Sequence, residues 1–228
     1  MFGFAITLLV VSLEVPKTFN DLVETMRGFG AFAISFALLF TVWFNQYKFF
    51  RRYGLQDNIS VFLNATLLFV VLFYVYPLKF LFSHLVNRIS GGRGLVRLAD
   101  GTFAKMIEWD QMSSLMLIFG AGYLAVFTVF FLLYLHAYRQ RDELELNHLE
   151  RFDTRNSMQE AALNCGIALL SMAVILIGGP SRSAMAGIVY MLTGVAMGLN
   201  GTLMGKKRRI LEKTVTQEFT PSAELSPN

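Results

Sequence analysis

Charged side chains are absent from six stretches of this chain, and those gaps set the first expectation about its structure. Scanning for runs without Asp, Glu, Lys or Arg gives Met1 to Leu13, Gly28 to Tyr47, Ile59 to Leu78, Gln111 to Tyr138, Ala161 to Pro180 and Ser183 to Gly205. A helix that crosses about 30 Å of hydrocarbon needs roughly 20 apolar residues at 1.5 Å each. Five of the runs meet that length. Lipid offers no partner for a free backbone N–H or C=O, so each run predicts a helix rather than a strand. The expectation is an all-α, integral membrane six-helix bundle over residues 1–205. A basic and then polar cytoplasmic tail, predicted to be disordered, occupies residues 206–228.

The first run is short: about 13 helical residues reach only about 20 Å. A signal peptide has an apolar region of that length, but no basic residue precedes the run and no Ala-x-Ala site follows it. The run is read as a spanning helix whose first turns lie upstream of this sequence. Lys and Arg in short loops set orientation. Lys48, Arg51 and Arg52 follow the second run, and Lys206, Lys207, Arg208 and Arg209 follow the sixth. An even number of crossings separates these clusters, which places both of them, and both termini, on the cytoplasmic side of the cell (inner) membrane. Arg88, Arg93, Arg97 and Lys105, between the third and fourth runs, pull weakly the other way.

The connections carry weaker signals. Phe19, Leu22, Val23 and Met26 recur at i, i+3, i+4 and i+7, which predicts a short amphipathic helix from Thr18 to Arg27, either interfacial or plainly on the surface. Gly91, Gly92 and Gly94 read as turn glycines, because no Gly-Lys-Ser follows to make a phosphate loop. Acids and bases alternate from Arg139 to Arg155 and predict a solvated extension of the fourth helix. Gly194 and Gly198 form a GxxxG pair on the sixth run. Such a pair lets helices approach closely, within a subunit or between subunits.

Composition sharpens the class. Hydrophobic residues make up 54% and charged residues 16%, with 22 Phe, 11 Met and 18 Gly. A soluble domain carries about 25% charged residues. Cys165 is the single cysteine, so no intramolecular disulfide forms, and three scattered histidines predict no metal site and no cofactor. The net charge of +4 clusters beside the apolar runs, which argues against nucleic acid. No nucleophile elbow, P-loop, CxxC or HExxH is present, so an enzyme is not expected. No run holds a carboxylate at its centre, which disfavours a proton pump or ion-coupled transporter. The Thr-Val-Gly-Tyr-Gly filter is also absent. The polar groups inside the runs are uncharged, among them Thr7, Ser35, Asn64, Asn164 and Asn200. On the first run Phe4, Leu8 and Val11 share a face with Thr7 beside them. From the residues alone this is an ordinary apolar stripe, which reads as core packing in preference to a pore lining.

Phe-Ala-Ile-Thr-Leu-Leu-Val-Val (residues 4–11), followed by Leu-Glu-Val-Pro (13–16), resembles the first helix of the transmembrane protein 175 family of potassium channels. Trp43-Phe44 near the end of the second run, Leu63-Asn64 opening the third and Pro77 near its end resemble that family too. The resemblance covers about residues 1–82 and is topological beyond them. It implies a homotetramer of six-helix subunits in the bilayer around one pore, passing K⁺ passively. By position, the narrowest point falls on Phe4, further apolar layers on Leu8 and Val11, and the hydroxyl that helps select K⁺ on Thr7. Trp43 and Asn64 take helix-bracing positions. Phe4 departs from the family's usual isoleucine, and Gln46 and Tyr47 stand where related chains carry histidines. The family's Arg…Phe-Ser-Asp signature belongs just upstream of Phe2. The rival readings are a proton-permeable pathway or secondary transporter, and a non-conducting membrane assembly protein.

Overall fold

A computed structural model of the chain describes residues 3, 7, 10, 17–89, 94–97 and 102–219. The described helices are α1 (Phe19–Tyr53), α2 (Asn58–Ile89), α3 (Gln111–Arg139), α4 (His148–Gly178), α5 (Ser183–Val189) and α6 (Met191–Phe219). A two-stranded antiparallel hairpin, β1 (Leu95–Arg97) with β2 (Phe103–Lys105), pairs Val96 with Ala104 between α2 and α3. Five helical segments are long and apolar enough to cross a membrane: Gly28–Tyr53, Asn58–Ile89, Gln111–Arg139, His148–Gly178 and Pro180–Lys213. The first apolar run lies mostly outside the described residues, although Gly3, Thr7 and Val10 are helical.

Consecutive helices pack as neighbours, and α4 touches α3, α5 and α6. The main core lies where α2 meets α3. Leu67, Val71, Val75 and Leu78 recur on one face of α2, and Phe130, Leu133 and Ala137 meet the same cluster from α3. Gly122 makes the close approach possible, since a Cβ there would sit 2.2 Å from the Tyr74 ring. The opposite surfaces are apolar and open: Phe69 and Phe73 on α2 are 71% and 74% exposed, and Ile177 on α4 is 84% exposed. A soluble protein would hide such patches; their exposure suits a protein whose helices cross a bilayer. Pro77 sits inside α2 without ending it, as membrane helices tolerate.

Four local expectations are corrected. The segment from Thr18 to Arg27 is no separate helix: α1 begins at Phe19 and runs unbroken to Tyr53, with Leu22 N–H donating to the Thr18 carbonyl at 3.0 Å. α3 ends at Arg139 instead of extending into water. The chain turns through Glu145 at φ 49°, and Asn147 opens α4 with a capping box closed by Glu150, an arrangement that satisfies orphan amides at the new helix start. The sixth run is broken: after a 3₁₀ turn at Pro180–Arg182, α5 takes up only its first seven residues, the chain turns at Tyr190, and α6 begins at Met191. Past Gly205 the tail is helical to Phe219. Strong helix formers and the Arg208–Glu212 i,i+4 pair at 2.6 Å support that extension.

The basic end is tied by carboxylates. Asp153 near the start of α4 accepts from Arg52 of α1 at 3.1 Å and from Arg208 of α6 at 3.1 Å. Beside it the Tyr53 and Thr154 hydroxyls meet at 2.8 Å. Asp57, between α1 and α2, accepts from the Ile59 amide and contacts His136 Nε2 of α3 at 2.8 Å. Burial works to raise the Asp57 carboxyl pKa, but contacts with Ser60 and His136 outweigh it and hold the group below its usual value. Its stabilisation is therefore present above the ordinary carboxylate range near 3.9 and is lost as pH falls through the lower native value.

Two measurements test this packing. Gly122→Val should lower the thermal unfolding midpoint of the detergent-solubilised protein, by an overpacking cost of about 1–3 kcal/mol. Gly166→Ala, where nothing lies within 4 Å, should leave the midpoint unchanged or raise it. Asp57→Asn should flatten the loss of stability that the native protein shows on acidification below about pH 4; an identical acid profile would remove the Asp57–His136 contact from the account.

Candidate functional site: the first helix and its brace

Of the expected pore-facing residues, Phe4, Leu8 and Val11 lie outside the described residues. Thr7 is helical and exposed, and its Oγ1 donates to the Gly3 carbonyl at 2.6 Å. That bond commits the hydroxyl proton to the helix backbone. Val10, on the same helical stretch, is 48% exposed.

The bracing positions are described in full. Gln46 Nε2 on α1 donates to Asn64 Oδ1 on α2, so the two helices are joined by an amide pair where each is otherwise apolar. Trp43 is one turn away on α1. Its ring stands 5.2 Å from Phe40 and 5.8 Å from Tyr47, and it packs against the main core. The stacked series Phe29, Phe32, Phe36, Phe40 and Phe44 continues along α1 at ring separations of 6.0 to 6.4 Å. Gln46 was visible in the sequence only as a departure from a family pattern. Its partner follows from the antiparallel α1–α2 hairpin.

A second polar system was missed by reading the runs as uncharged. Glu160 stands one residue before the fifth run, on α4. Its Oε1 accepts from Asn156 Nδ2 at 2.9 Å and from Asn200 Nδ2 of α6 at 3.1 Å. One turn deeper, Asn164 donates to the Glu160 carbonyl at 2.8 Å and accepts from the Tyr123 hydroxyl of α3 at 2.6 Å. Deeper still, Ser171 donates to the Ala186 carbonyl of α5 at 2.9 Å. The spacing of Asn156, Glu160, Asn164 and Ser171 at helical intervals was the available signal. Every one of these groups has a partner, so the system fastens helices together. Among the described residues no three His, Cys, Asp or Glu side chains are grouped to hold a metal ion.

The whole chain resembles a solved protein. The crystal structure of a variant of the potassium channel MtTMEM175, in complex with a nanobody–MBP fusion protein, superposes with a TM-score of 0.76 at 38% identity. The match covers 90% of this chain and 89% of that one. A protein of Marivirga tractuosa named potassium channel is 40% identical over 216 residues, 93% of this chain and 87% of its own. The chain belongs to the TMEM175 family. The family model described as endosomal/lysosomal potassium channel TMEM175 matches residues 1–74, the segment that holds the first run, α1 and the Gln46–Asn64 pair. A potassium channel of Chamaesiphon minutus shows 30% identity over 97 residues, 38% of this chain and 47% of its own. TMEM175 proteins are ion channels of the membrane, not enzymes. The likeness to the Marivirga protein and to the TMEM175 crystal structure, in sequence as well as in fold, extends well past residue 82, where the expected resemblance of motifs ended.

The amide pair can be tested by a double-mutant cycle. Gln46→Leu and Asn64→Leu are each expected to lower the unfolding midpoint, with a coupling of about 0.6–1.7 kcal/mol between them, the range for hydrogen bonds between membrane helices. Strictly additive effects would show that the two side chains do not interact.

Proposed function

We propose that this chain is a multi-pass membrane channel that passes K⁺ down its gradient through a pore lined by its first helix. The observation that carries the reading is the 40% identity over 93% of the chain to a protein named potassium channel. In support, the family match begins at residue 1 and so includes the proposed lining. On this reading six helices cross the inner membrane, with both termini cytoplasmic, and four copies surround the axis. The channel domain covers residues 1–205, and 206–228 form its cytoplasmic tail.

Phe4, Leu8 and Val11 then form stacked apolar rings, and Thr7 supplies a ring of hydroxyl oxygens. An apolar constriction gates by wetting and drying, which needs little movement. Ions enter as the constriction wets, and oxygen lone pairs replace part of the hydration shell. Trp43 and the Gln46–Asn64 pair hold the neighbouring helices in register around the ring.

In liposomes, the protein should pass K⁺ faster than Na⁺, and Leu8→Asn should raise the leak of both ions by giving water a partner inside the constriction. K⁺ flux no greater than that of empty vesicles would overturn the reading.

A further inference from the structure

A groove runs along the outside of α4 and α6 toward the basic end of the bundle. It is a wide-open groove of about 570 Å³, lined by Gln159, Leu163, Gly166, Ile167 and Leu170 of α4 and by Asn200 of α6. That volume falls in the range of about 300–1,000 Å³ found for ligand clefts. Its floor exists because Gly166 has no side chain: a Cβ there meets nothing within 4 Å. Most of the lining is aliphatic, and its polar residues, Gln159 and Asn200, lie toward the basic end.

The two helices run antiparallel, as the pairs Asp153–Arg208, Glu160–Asn200 and Ser171–Ala186 require. The groove face of α4 continues by helical spacing from Gln159 back one turn to Arg155. The matching face of α6 continues from Asn200 two turns on to Lys207. Both are exposed. Neither takes part in any ion pair among the described residues, whereas the nearby Arg52, Arg151 and Arg208 are held by Asp153 and Asp142. An apolar trough thus ends at two cations with no acid assigned to them, beside the surface where apolar runs give way to charge.

We propose that this groove holds one anionic phospholipid per chain, with an acyl chain over Gly166 between Leu163 and Leu170 and its phosphate between Arg155 and Lys207. The charge decides the occupant. A zwitterionic lipid would bring its own cation to the two unpaired ones, whereas a phosphodiester with an uncharged headgroup, such as phosphatidylglycerol, leaves its negative charge for both.

Native mass spectrometry of the full chain in detergent, with phosphatidylglycerol or phosphatidylcholine added, tests the assignment. The unaltered protein should retain one phosphatidylglycerol per chain in preference to phosphatidylcholine. A cation near an anionic membrane surface contributes about 1 kcal/mol, roughly fivefold each, so Arg155→Gln with Lys207→Gln should remove most of the preference. Lys48→Gln with Arg51→Gln removes the same charge from the same end but away from the groove, and should leave the preference intact. Gly166→Leu should lose the retained lipid of either class without lowering the unfolding midpoint. An unaltered protein with no retained lipid, equal losses in the two charge-matched pairs, or lipid retained by Gly166→Leu would each overturn the proposal. So would displacement of the lipid by inorganic phosphate in the unaltered protein combined with an unaffected Gly166→Leu variant.

Discussion

Hydrocarbon gives apolar helices no reason to prefer one another over lipid, so polar contacts and close packing must hold this bundle together. One helix supplies most of those contacts. Along α4, Asp153, Asn156, Glu160, Asn164 and Ser171 follow one another at intervals of three, four or seven residues. They reach α1, α6, α3 and α5 in turn. The stripe grades from charge to hydroxyl with depth. Asp153 lies at the basic end beside two guanidinium groups, Glu160 one to two turns deeper takes amide donors, and Ser171 in the apolar interior asks for a single carbonyl. That order follows the rising cost of an unpaired group away from water. It also explains why α4 is the hub of the fold although α2 and α3 are the more apolar helices.

The contact between α2 and α3 obeys the other rule. There the backbones approach because Gly122 leaves room for the Tyr74 ring, and Gly120 would place a Cβ 2.8 Å from Met172 of α4. Ring and glycine fit each other as a knob fits a hole, and the gain is dispersion, summed over many weak contacts. By contrast the glycines of α6, Gly194, Gly198, Gly201 and Gly205, meet nothing within 4 Å. The GxxxG pair that the sequence displayed therefore packs against no helix among the described residues, and the closest glycine contacts stand on α3 without that motif.

The spans were legible because a bilayer imposes one length on every helix, and five of the described helices follow the gaps in charge. What lay between them was not. Charge alternation from Arg139 to Arg155 reads equally as a helix face and as two helix ends facing each other. The capping box at Asn147 and Glu150 decided for the latter, through residues chosen for their side-chain acceptors and not for periodicity. The sixth run is interrupted at Tyr190 alone, between α5 and α6, a single residue of turn that leaves no compositional mark. The candidate pore positions were not legible from pattern at all, since an apolar stripe with one threonine suits packing and permeation alike. Only the likeness of residues 4–16 to known channels favours permeation over packing. Asn64 was visible, but its partner Gln46 needed the hairpin geometry.

On the proposed reading the pore lining is uncharged, and that changes what the rest of the chain must do. A ring of carboxylates attracts cations over several ångströms and tolerates imprecise placement, since Coulomb attraction falls slowly in a dry interior. A hydroxyl offers a partial charge of short reach, so its worth to an ion depends on distance to within tenths of an ångström. On the proposed reading, rigidity around the first helix stands in for charge within it. The residues that supply it are found where the family match lies, in α1 and the first turns of α2. Gln46 and Asn64 share a hydrogen bond across the hairpin, Trp43 is fixed between Phe40 and Tyr47, and Tyr53 and Arg52 anchor the end of α1 to α4. The two systems are thus joined: the polar stripe of α4 holds α1, and α1 carries the amide pair that holds α2.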